Sequence, residues 1–355
     1  MAIKFGLVGC GKIAEKHADV LTSGGVVGAS LQGVVDVNAE RAADLAGRRG
    51  CRVFATAEEM AASTDIDVLC VLTPSGCHAE DIIALAPFGK PILVEKPMAL
   101  KLEDADKIID VCDKHNVKLF VVKQNRFNRP IIKLREALMQ GRFGKLVMGT
   151  IRVRWCRSQK YYDEASWRGT WQFDGGVLTN QASHHIDLLI WMMGEVETVF
   201  AKSSRALADI EAEDTAVVTL KFCNGALGII EATTATRPSD LEGSLSVLGE
   251  KGAVVVGGFA ANELETWQFE DVDSGDADIF ETHGRNPPEK VNFAHTRYYE
   301  HVVDCITNHR QQLVDGLGGR RSLELISAIY ESIETAREVP LRFSPKSCRL
   351  GRALE

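Results

Sequence analysis

Ile3-Lys4-Phe5-Gly6-Leu7-Val8-Gly9-Cys10-Gly11-Lys12-Ile13-Ala14 decides the fold. The stretch up to Val8 is a short apolar run of strand length, and residues with helical spacing follow the two glycines. A strand that turns through Gly-x-Gly directly into a helix is the setting in which this pattern binds a dinucleotide. Gly9 permits the tight turn, Gly11 lets the backbone approach a pyrophosphate, and Ala14, in place of a third glycine, still allows helix and strand to pack closely. The phosphates are expected on the helix N-terminus, beside Lys12 and Ile13, where free N–H groups and the dipole favour anions. Asp36 ends the second apolar run roughly 20 residues on, and its carboxylate can accept both ribose hydroxyls. It would repel a 2′-phosphate, which favours NAD over NADP.

Working outward, short apolar runs alternate with helical patterns as far as Lys123. The runs are Ile3–Val8, Leu31–Val37, Val68–Leu72, Ile92–Val94 and Lys118–Val122; the helical stretches are Ile13–Leu21, Ala39–Ala46, Ala79–Leu85 and Leu102–Lys114. That rhythm predicts βαβ units in a doubly wound parallel sheet, a Rossmann domain over residues 1–123. After Asn125 the pattern changes to longer alternating or β-branched runs: Val147–Trp155, Thr198–Ser204, Thr215–Phe222, Ala226–Thr234, Leu245–Leu248 and Ala253–Val256. Asn224-Gly225 and Lys251-Gly252 turn two pairs of these into hairpins. The second half, 124–343, therefore reads as an α+β domain with a large, mostly antiparallel sheet that binds substrate and carries oligomer contacts. Asp271–Lys290 reads as a surface loop, Ser322–Arg337 as a closing helix, and 344–355 as a tail outside the fold.

The 355 residues suffice for about two domains, and 45% hydrophobic with 25% charged residues is ordinary for a globular protein. A net charge of −8 argues against a nucleic-acid surface, which needs clustered Lys and Arg. The nine cysteines include no Cys-x-x-Cys pair, so reduced thiols in a cytoplasmic protein are expected. No opening leader and no long apolar stretch is visible, so neither export nor membrane insertion is expected.

Ile92-Leu93-Val94-Glu95-Lys96-Pro97-Met98 is an apolar run that reaches a lysine and is stopped by a proline. The carboxyl ends of strands in a parallel sheet form its ligand crevice, so Lys96 is expected to face a ligand, with Glu95 beside it. Thr73-Pro74 ends another run on the same edge, and His78 opens the helix that follows; these three are assigned to the cofactor side together with Glu95 and Lys96. Gly175-Gly176-Val177-Leu178-Thr179-Asn180-Gln181-Ala182-Ser183-His184-His185-Ile186-Asp187 concentrates further chemistry. Read as one helix running to Met193, it stacks Asn180, His184 and Leu188 on a single face and turns His185 about 100° away. Oxidising a carbinol with NAD requires a proton acceptor and a positive group that holds the oxygen, and a lysine with a histidine supplies both. Lys96, near other cations in a dry crevice, is expected to have a lowered pKa. No metal-binding constellation is present.

With Gly9–Ala14, Asp36, Thr73-Pro74, Glu95-Lys96-Pro97 and Gly175–Asp187, the chain resembles the glucose-fructose oxidoreductase and inositol dehydrogenase family over nearly its whole length. The resemblance implies that Lys96 is catalytic and that Asn180, standing where the family has aspartate, and His184 complete the acid–base set. An amide cannot take a proton as a carboxylate does, so Asn180 is expected only to bind substrate. Thr179–His185, Lys123–Asn128 and Gly318–Glu324 are similar to bacterial UDP-N-acetylglucosaminuronic acid 3-dehydrogenases of surface-polysaccharide (O-antigen) synthesis. That likeness implies oxidation of the sugar C3 hydroxyl, a tightly held NAD, a homotetramer packed through the second-domain sheets, and for some such enzymes recycling by 2-oxoglutarate.

A nucleotide sugar needs an anion pocket. Residues 151–175 carry Arg152, Arg154, Arg157, Lys160 and Arg168 against Asp163, Glu164 and Asp174, with interleaved aromatics. Guanidinium forks suit diphosphate or carboxylate, and aromatic faces stack on a base or sugar. Arg152 and Arg154 share one strand face, a solvated edge or an interface; Arg157 and Arg168, in the irregular part, are favoured. The expected substrate contacts are thus Lys96, Arg157, Tyr161, Arg168, Asn180, His184 and His185. The competing expectations are a dehydrogenase of a free polyol such as inositol, and a non-catalytic nucleotide-binding regulator.

Overall fold

The computed structural model describes residues 2–288 and 292–341. Six parallel strands form the first sheet: β1 Ile3–Val8, β2 Ala29–Val35, β3 Arg52–Val53, β4 Val68–Val71, β5 Ile92–Val94 and β6 Leu119–Val121, in spatial order β3-β2-β1-β4-β5-β6. The order reverses between β1 and β4, and the crevice outside the carboxyl ends at such a switch point is where ligands bind in doubly wound sheets. The helices between the strands are α1 Lys12–Thr22, α2 Ala39–Arg49, α3 Ala57–Ala62, α4 His78–Leu85 and α5 Leu102–Lys114. α2 is closed at both ends: the Asn38 side chain accepts from the N–H groups of Glu40 and Arg41, and Gly50 follows at φ +67°. At the start of α1, Gly11 offers no side-chain cap, so that helix keeps its first donors for something else. β3 and α3 were not expected; two and six residues are too few to display a period.

The second domain contains α6 Arg129–Met139, β7 Leu146–Arg154, α7 Gln159–Asp163, α8 Ser183–Met193, β8 Val196–Ser204, β9 Thr215–Phe222, β10 Leu227–Thr233, β11 Glu242–Gly249, β12 Gly252–Gly257 and β13 Glu263–Phe269. α9 Ile279–Thr282, α10 Phe293–Thr307, α11 Gly316–Thr335 and β14 Val339–Pro340 complete it. Eight strands pair in the order β13-β12-β11-β7-β10-β9-β8-β14. All neighbours are antiparallel except β7 with β10, in line with the mostly antiparallel expectation. Both hairpins form, β9 with β10 and β11 with β12. Gly225 at φ +88° makes the first turn, and the Asn224 side chain accepts from the Ala226 N–H. β13 and α9 are additions to the expected pattern. Glu289 and Lys290, at the end of the expected surface loop, and the tail 344–355 lie outside the described residues.

One face of this sheet is covered by α6, α8 and α11, burying Ile151, Val153, Leu189, Met192, Val218, Leu220 and Ile329. Among the described residues none covers the opposite face, which shows Phe200, Val217, Leu227 and Leu248, each at least 36% exposed. Around the first sheet, Leu69, Val71, Ile92 and Val94 form one core with Ile82 of α4 and Ile108 of α5. The other face holds Phe5, Leu7, Cys70 and Phe120, and its cover includes Tyr298, Tyr299 and Val302. α10, expected with the second domain, therefore completes the first, because that apolar face otherwise meets water.

Candidate active site

At the nucleotide end, the Gly9 N–H donates to the Val35 carbonyl at 2.8 Å. Its φ is +100°, and a Cβ there would meet the Leu72 carbonyl group at 3.0 Å, so only glycine fits. A Cβ at Gly11 would meet no protein atom within 4 Å. That glycine is not required by the protein's own packing, as expected of a backbone kept bare for a ligand. Asp36 accepts from the Cys10 N–H and the Asn38 N–H, one on each oxygen, both at 2.7 Å, and a carboxylate so held keeps further lone pairs for hydroxyls. The residues present fit a dinucleotide. Ile13 packs against the core at the start of α1, while Lys12 reaches across the crevice to Glu164, Nζ to Oε2 3.8 Å.

Thr73 and Pro74 follow β4 on the same edge, and the Thr73 hydroxyl donates to Asp81. Just beyond, the Gly76 N–H donates to the Phe173 carbonyl at 3.1 Å, tying this turn to the second domain. His78 departs from expectation. It is buried, with Nδ1 2.8 Å from the Pro97 carbonyl and Nε2 2.9 Å from the Thr73 carbonyl. Both ring nitrogens face protein carbonyls, and the neutral ring donates to one of them, so His78 lies packed between two loops of the crevice. Glu95 is likewise turned inward: one oxygen lies 3.0 Å from Nε2 of His17 and the other accepts from the Lys96 N–H at 3.0 Å. Burial would raise its pKa, but His17 and then Lys96 overcome it and hold Glu95 ionised, well below the usual carboxylate range. His17 is tied in turn to the Tyr299 hydroxyl at 2.7 Å. His17, Glu95 and His295 place ligand-type atoms within 4.8 Å of one another, yet both nitrogens of His17 are occupied, which makes the trio a buttress beneath Lys96.

Lys96 leaves the carboxyl end of β5 and its Nζ donates to the Asn180 carbonyl at 2.7 Å, so the two domains meet at this atom. Its pKa is lowered, as expected, but the cause is burial; the neighbours Glu95 and Asp174 push the other way. Beside those two carboxylates stands one cation of the expected kind, Lys123.

The segment carrying Asn180 is not one continuous helix. Gly175 at φ +80° reverses the chain, the Ala182 N–H reaches back to Val177, and α8 starts only at Ser183. The Leu178 N–H is diverted to the Glu213 carboxylate at 3.0 Å, and the Tyr330 hydroxyl ties Thr179 and Glu213 together. Asn180 and His184 nonetheless arrive beside Lys96. The Nε2 of His184 lies 3.1 Å from the Gln124 amide nitrogen, and its buried Nδ1 has no partner. Burial, then the positive charges of Lys96 and Lys123, hold its pKa well below the ordinary value. His185, expected among the substrate contacts, is fully buried against the Trp155 ring at 5.8 Å and close to the Gly243 backbone. One step along α8 rotates it into the domain core.

Arg157 and Arg168 both lie over the Tyr161 ring, 5.5 and 4.3 Å from its centre. Arg157 is held by Asp240 at 2.9 Å and Arg168 by Glu164 at 2.8 Å. Arg152 and Arg154 pair instead with Glu242 and Glu231 on the open sheet face, as alternation predicts.

Three residues of this neighbourhood escaped the sequence reading. Asp174, buried, accepts from the Asn180 amide and the Gly169 N–H; in the sequence it counted only as one of the acids set against the arginines of 151–175. Gln124 sits on His184. Lys123, 2% exposed, donates to Ser322 at 3.0 Å, lies 3.9 Å from Asp187, and is brought down to about 8 by burial.

Comparison with known proteins matches residues 3–123 to the description "Oxidoreductase family, NAD-binding Rossmann fold" and 135–341 to "Oxidoreductase family, C-terminal alpha/beta domain". The chain belongs to the Gfo/Idh/MocA oxidoreductase family. Among Gfo/Idh/MocA proteins of known structure, the WlbA dehydrogenase from Bordetella pertussis, solved with NADH and UDP-GlcNAcA, is 41% identical with a TM-score of 0.92, covering 97% of this chain and 99% of its own. The corresponding enzyme from Chromobacterium violaceum, solved with the same two ligands, is 40% identical with a TM-score of 0.90 and covers 97% of each chain. A myo-inositol 2-dehydrogenase of Thermotoga maritima is 28% identical over 96% of this chain and 98% of its own. The expectation of NAD agrees with the Gfo/Idh/MocA nucleotide domain. Among the described residues no helix is long and apolar enough to cross a membrane, and the eight described cysteines are unpaired.

Proposed function

We propose that this chain is an NAD-dependent sugar dehydrogenase that oxidises the C3 hydroxyl of UDP-N-acetylglucosaminuronic acid to the ketone. The observation that carries the reading is Lys96: its Nζ emerges from the cofactor sheet and is held at 2.7 Å by a second-domain carbonyl, beside His184. When bound, NAD supplies the acceptor for the hydride from the carbinol carbon. The protein handles the hydroxyl proton. Burial, then the charges of Lys96 and Lys123, hold His184 well below its ordinary value, so its ring is neutral. Lys96, whose Nζ stands where the two domains meet, takes the proton, while neutral His184, oriented by Gln124, holds the oxygen. Gly9, Gly11, Lys12 and Ile13 receive the pyrophosphate, Asp36 the ribose, and Thr73-Pro74 line the same edge. Arg157, Tyr161 and Arg168 receive the anionic and aromatic parts of the nucleotide.

Two relatives solved in complex with that substrate, at 40–41% identity against 28% for the inositol enzyme, support the nucleotide sugar over a free polyol. Retention of Lys96 and His184 speaks against a non-catalytic regulator. The uncovered apolar face of the large sheet supports assembly through that sheet, which we propose gives a homotetramer. The deciding experiment incubates the purified protein with NAD, with and without 2-oxoglutarate as the oxidant that recycles NADH, and a panel of UDP-uronates, UDP-hexoses and myo-inositol. Mass spectrometry should find a product two hydrogens lighter from the UDP-uronate. Turnover of myo-inositol alone would refute the substrate proposed.

A further inference from the structure

The site contains a carboxylate that the amide at position 180 had seemed to remove. Asp174 is 3% exposed, and both its oxygens are engaged: Oδ2 accepts from the Gly169 N–H at 2.8 Å and Oδ1 from the Asn180 carboxamide. Gly175, at φ +80°, and Gly176, where a Cβ would strike Glu213, let the chain double back so that residues 174 and 180 face one another. An Asn amide has one nitrogen end and one oxygen end. With the nitrogen committed to Asp174, the oxygen must point the other way. Asn180 also provides, through its own backbone carbonyl, the acceptor for Lys96 Nζ.

We infer that Asp174 is a positioning residue for proton transfer: through the Asn180 amide it fixes which end of that amide meets the substrate and where the carbonyl that steers Lys96 stands. The inference rests on the dehydrogenase reading above and deepens it. Asn180 then presents its acceptor oxygen to an O–H or N–H group beside the reacting carbon, leaving the single proton of the reacting hydroxyl to Lys96, and Asp174 supplies the negative charge behind the pair. The charged and titratable groups around Lys96 are Glu95, Asp174, His184 and Lys123. Those around Asp174 are Lys96, Arg168, Tyr161 and Tyr162.

The test compares Asp174→Asn, Asp174→Glu and the exchange Asp174→Asn/Asn180→Asp with the wild type, in turnover and in the pH dependence of acetic-anhydride labelling of Lys96 read on its peptide by mass spectrometry. Labelling needs no substrate, so it reports on Asp174 even if the proposed reaction is wrong. Asp174→Asn should lower kcat about 10- to 100-fold with little change in KM, the cost expected of a small misplacement in the site. Loss of a nearby negative charge should also move the Lys96 titration about one unit toward lower pH. Asp174→Glu, which keeps the charge, should leave that titration in place, and the exchange variant, which keeps one amide facing one carboxylate, should recover most of the lost kcat. An unshifted Lys96 titration in Asp174→Asn, or an exchange variant no better than the single one, would overturn the inference. Failure of the wild type to oxidise any sugar while the labelling shift persists would instead overturn the dehydrogenase reading and leave the Asp174–Lys96 coupling standing.

Discussion

Lys96 is the residue on which the chemistry turns. Lys96→Ala should reduce kcat by about 10²- to 10⁴-fold, the usual worth of a positioned acid–base group. NADH affinity, followed by fluorescence titration, should stay near wild type, because the contacts proposed for the cofactor lie on Gly9–Ile13 and Asp36. The pH dependence has a definite sign. Oxidation needs Lys96 neutral, so kcat/KM should rise with pH to a plateau whose inflection lies below 10.5, the ordinary lysine value that burial lowers. His184, held well below 6.5, should contribute no inflection between pH 6.5 and 8, and His184→Gln should lower the plateau without moving the limb. A limb displaced by that substitution would hand the proton to histidine instead. Lys96, Asp36 and the two glycines could be read in the sequence because each sits at a fixed offset from a strand end. Asp174 could not, because its role depends on a chain reversal at Gly175 that no periodicity announces. His78 and Glu95 were recognised as residues of this edge, but only the folded packing shows their polar atoms turned toward neighbouring protein groups.

At the scale of elements, the turn between Gly175 and Ala182 is held from below by α11. Tyr330 donates to Glu213 at 3.0 Å and Glu213 accepts from Leu178, while its other oxygen is buried without a partner. Burial raises the Glu213 pKa to about 7 from the ordinary 4.5. The folded state therefore prefers the protonated acid: its contribution is complete below pH 4.5 and is lost as pH rises through about 7. Between those limits the loss is on the order of 3 kcal/mol. Glu213→Gln, always neutral, should flatten the fall in melting temperature between pH 5 and pH 8; an unaltered slope would place the pH dependence elsewhere. Strands that read as unbroken apolar runs, such as β1 and β5, or as clean alternation, such as β9, agree with the sequence to the residue. α8 does not, because the carboxylate of Glu213 competes for an N–H that a longer helix would have used.

For the whole molecule, the uncovered face of the large sheet should be buried between copies. Light scattering should report a tetramer, and Leu227→Glu with Val217→Glu, two charges placed on that face, should yield smaller species with the fold intact by circular dichroism; a monomeric wild type would refute the assembly. The sequence showed two domains in order along the chain, and to that extent it described the molecule. It did not show that α10, far along in sequence, closes over Phe5, Leu7 and Phe120, with the Tyr299 hydroxyl on His17. A helix patterned to bury one face does not say whose face it will meet.

That return of the chain sets the timetable of synthesis. The nucleotide sheet leaves the ribosome first, yet one of its two faces stays bare until Val302 has been made. The domain begun earliest is thus finished among the last, and an N-terminal fragment ending at residue 123 should be captured by chaperones and come out insoluble when produced alone. Supplying the 124–355 piece in the same cell should rescue it, since what the fragment lacks is a helix and not time.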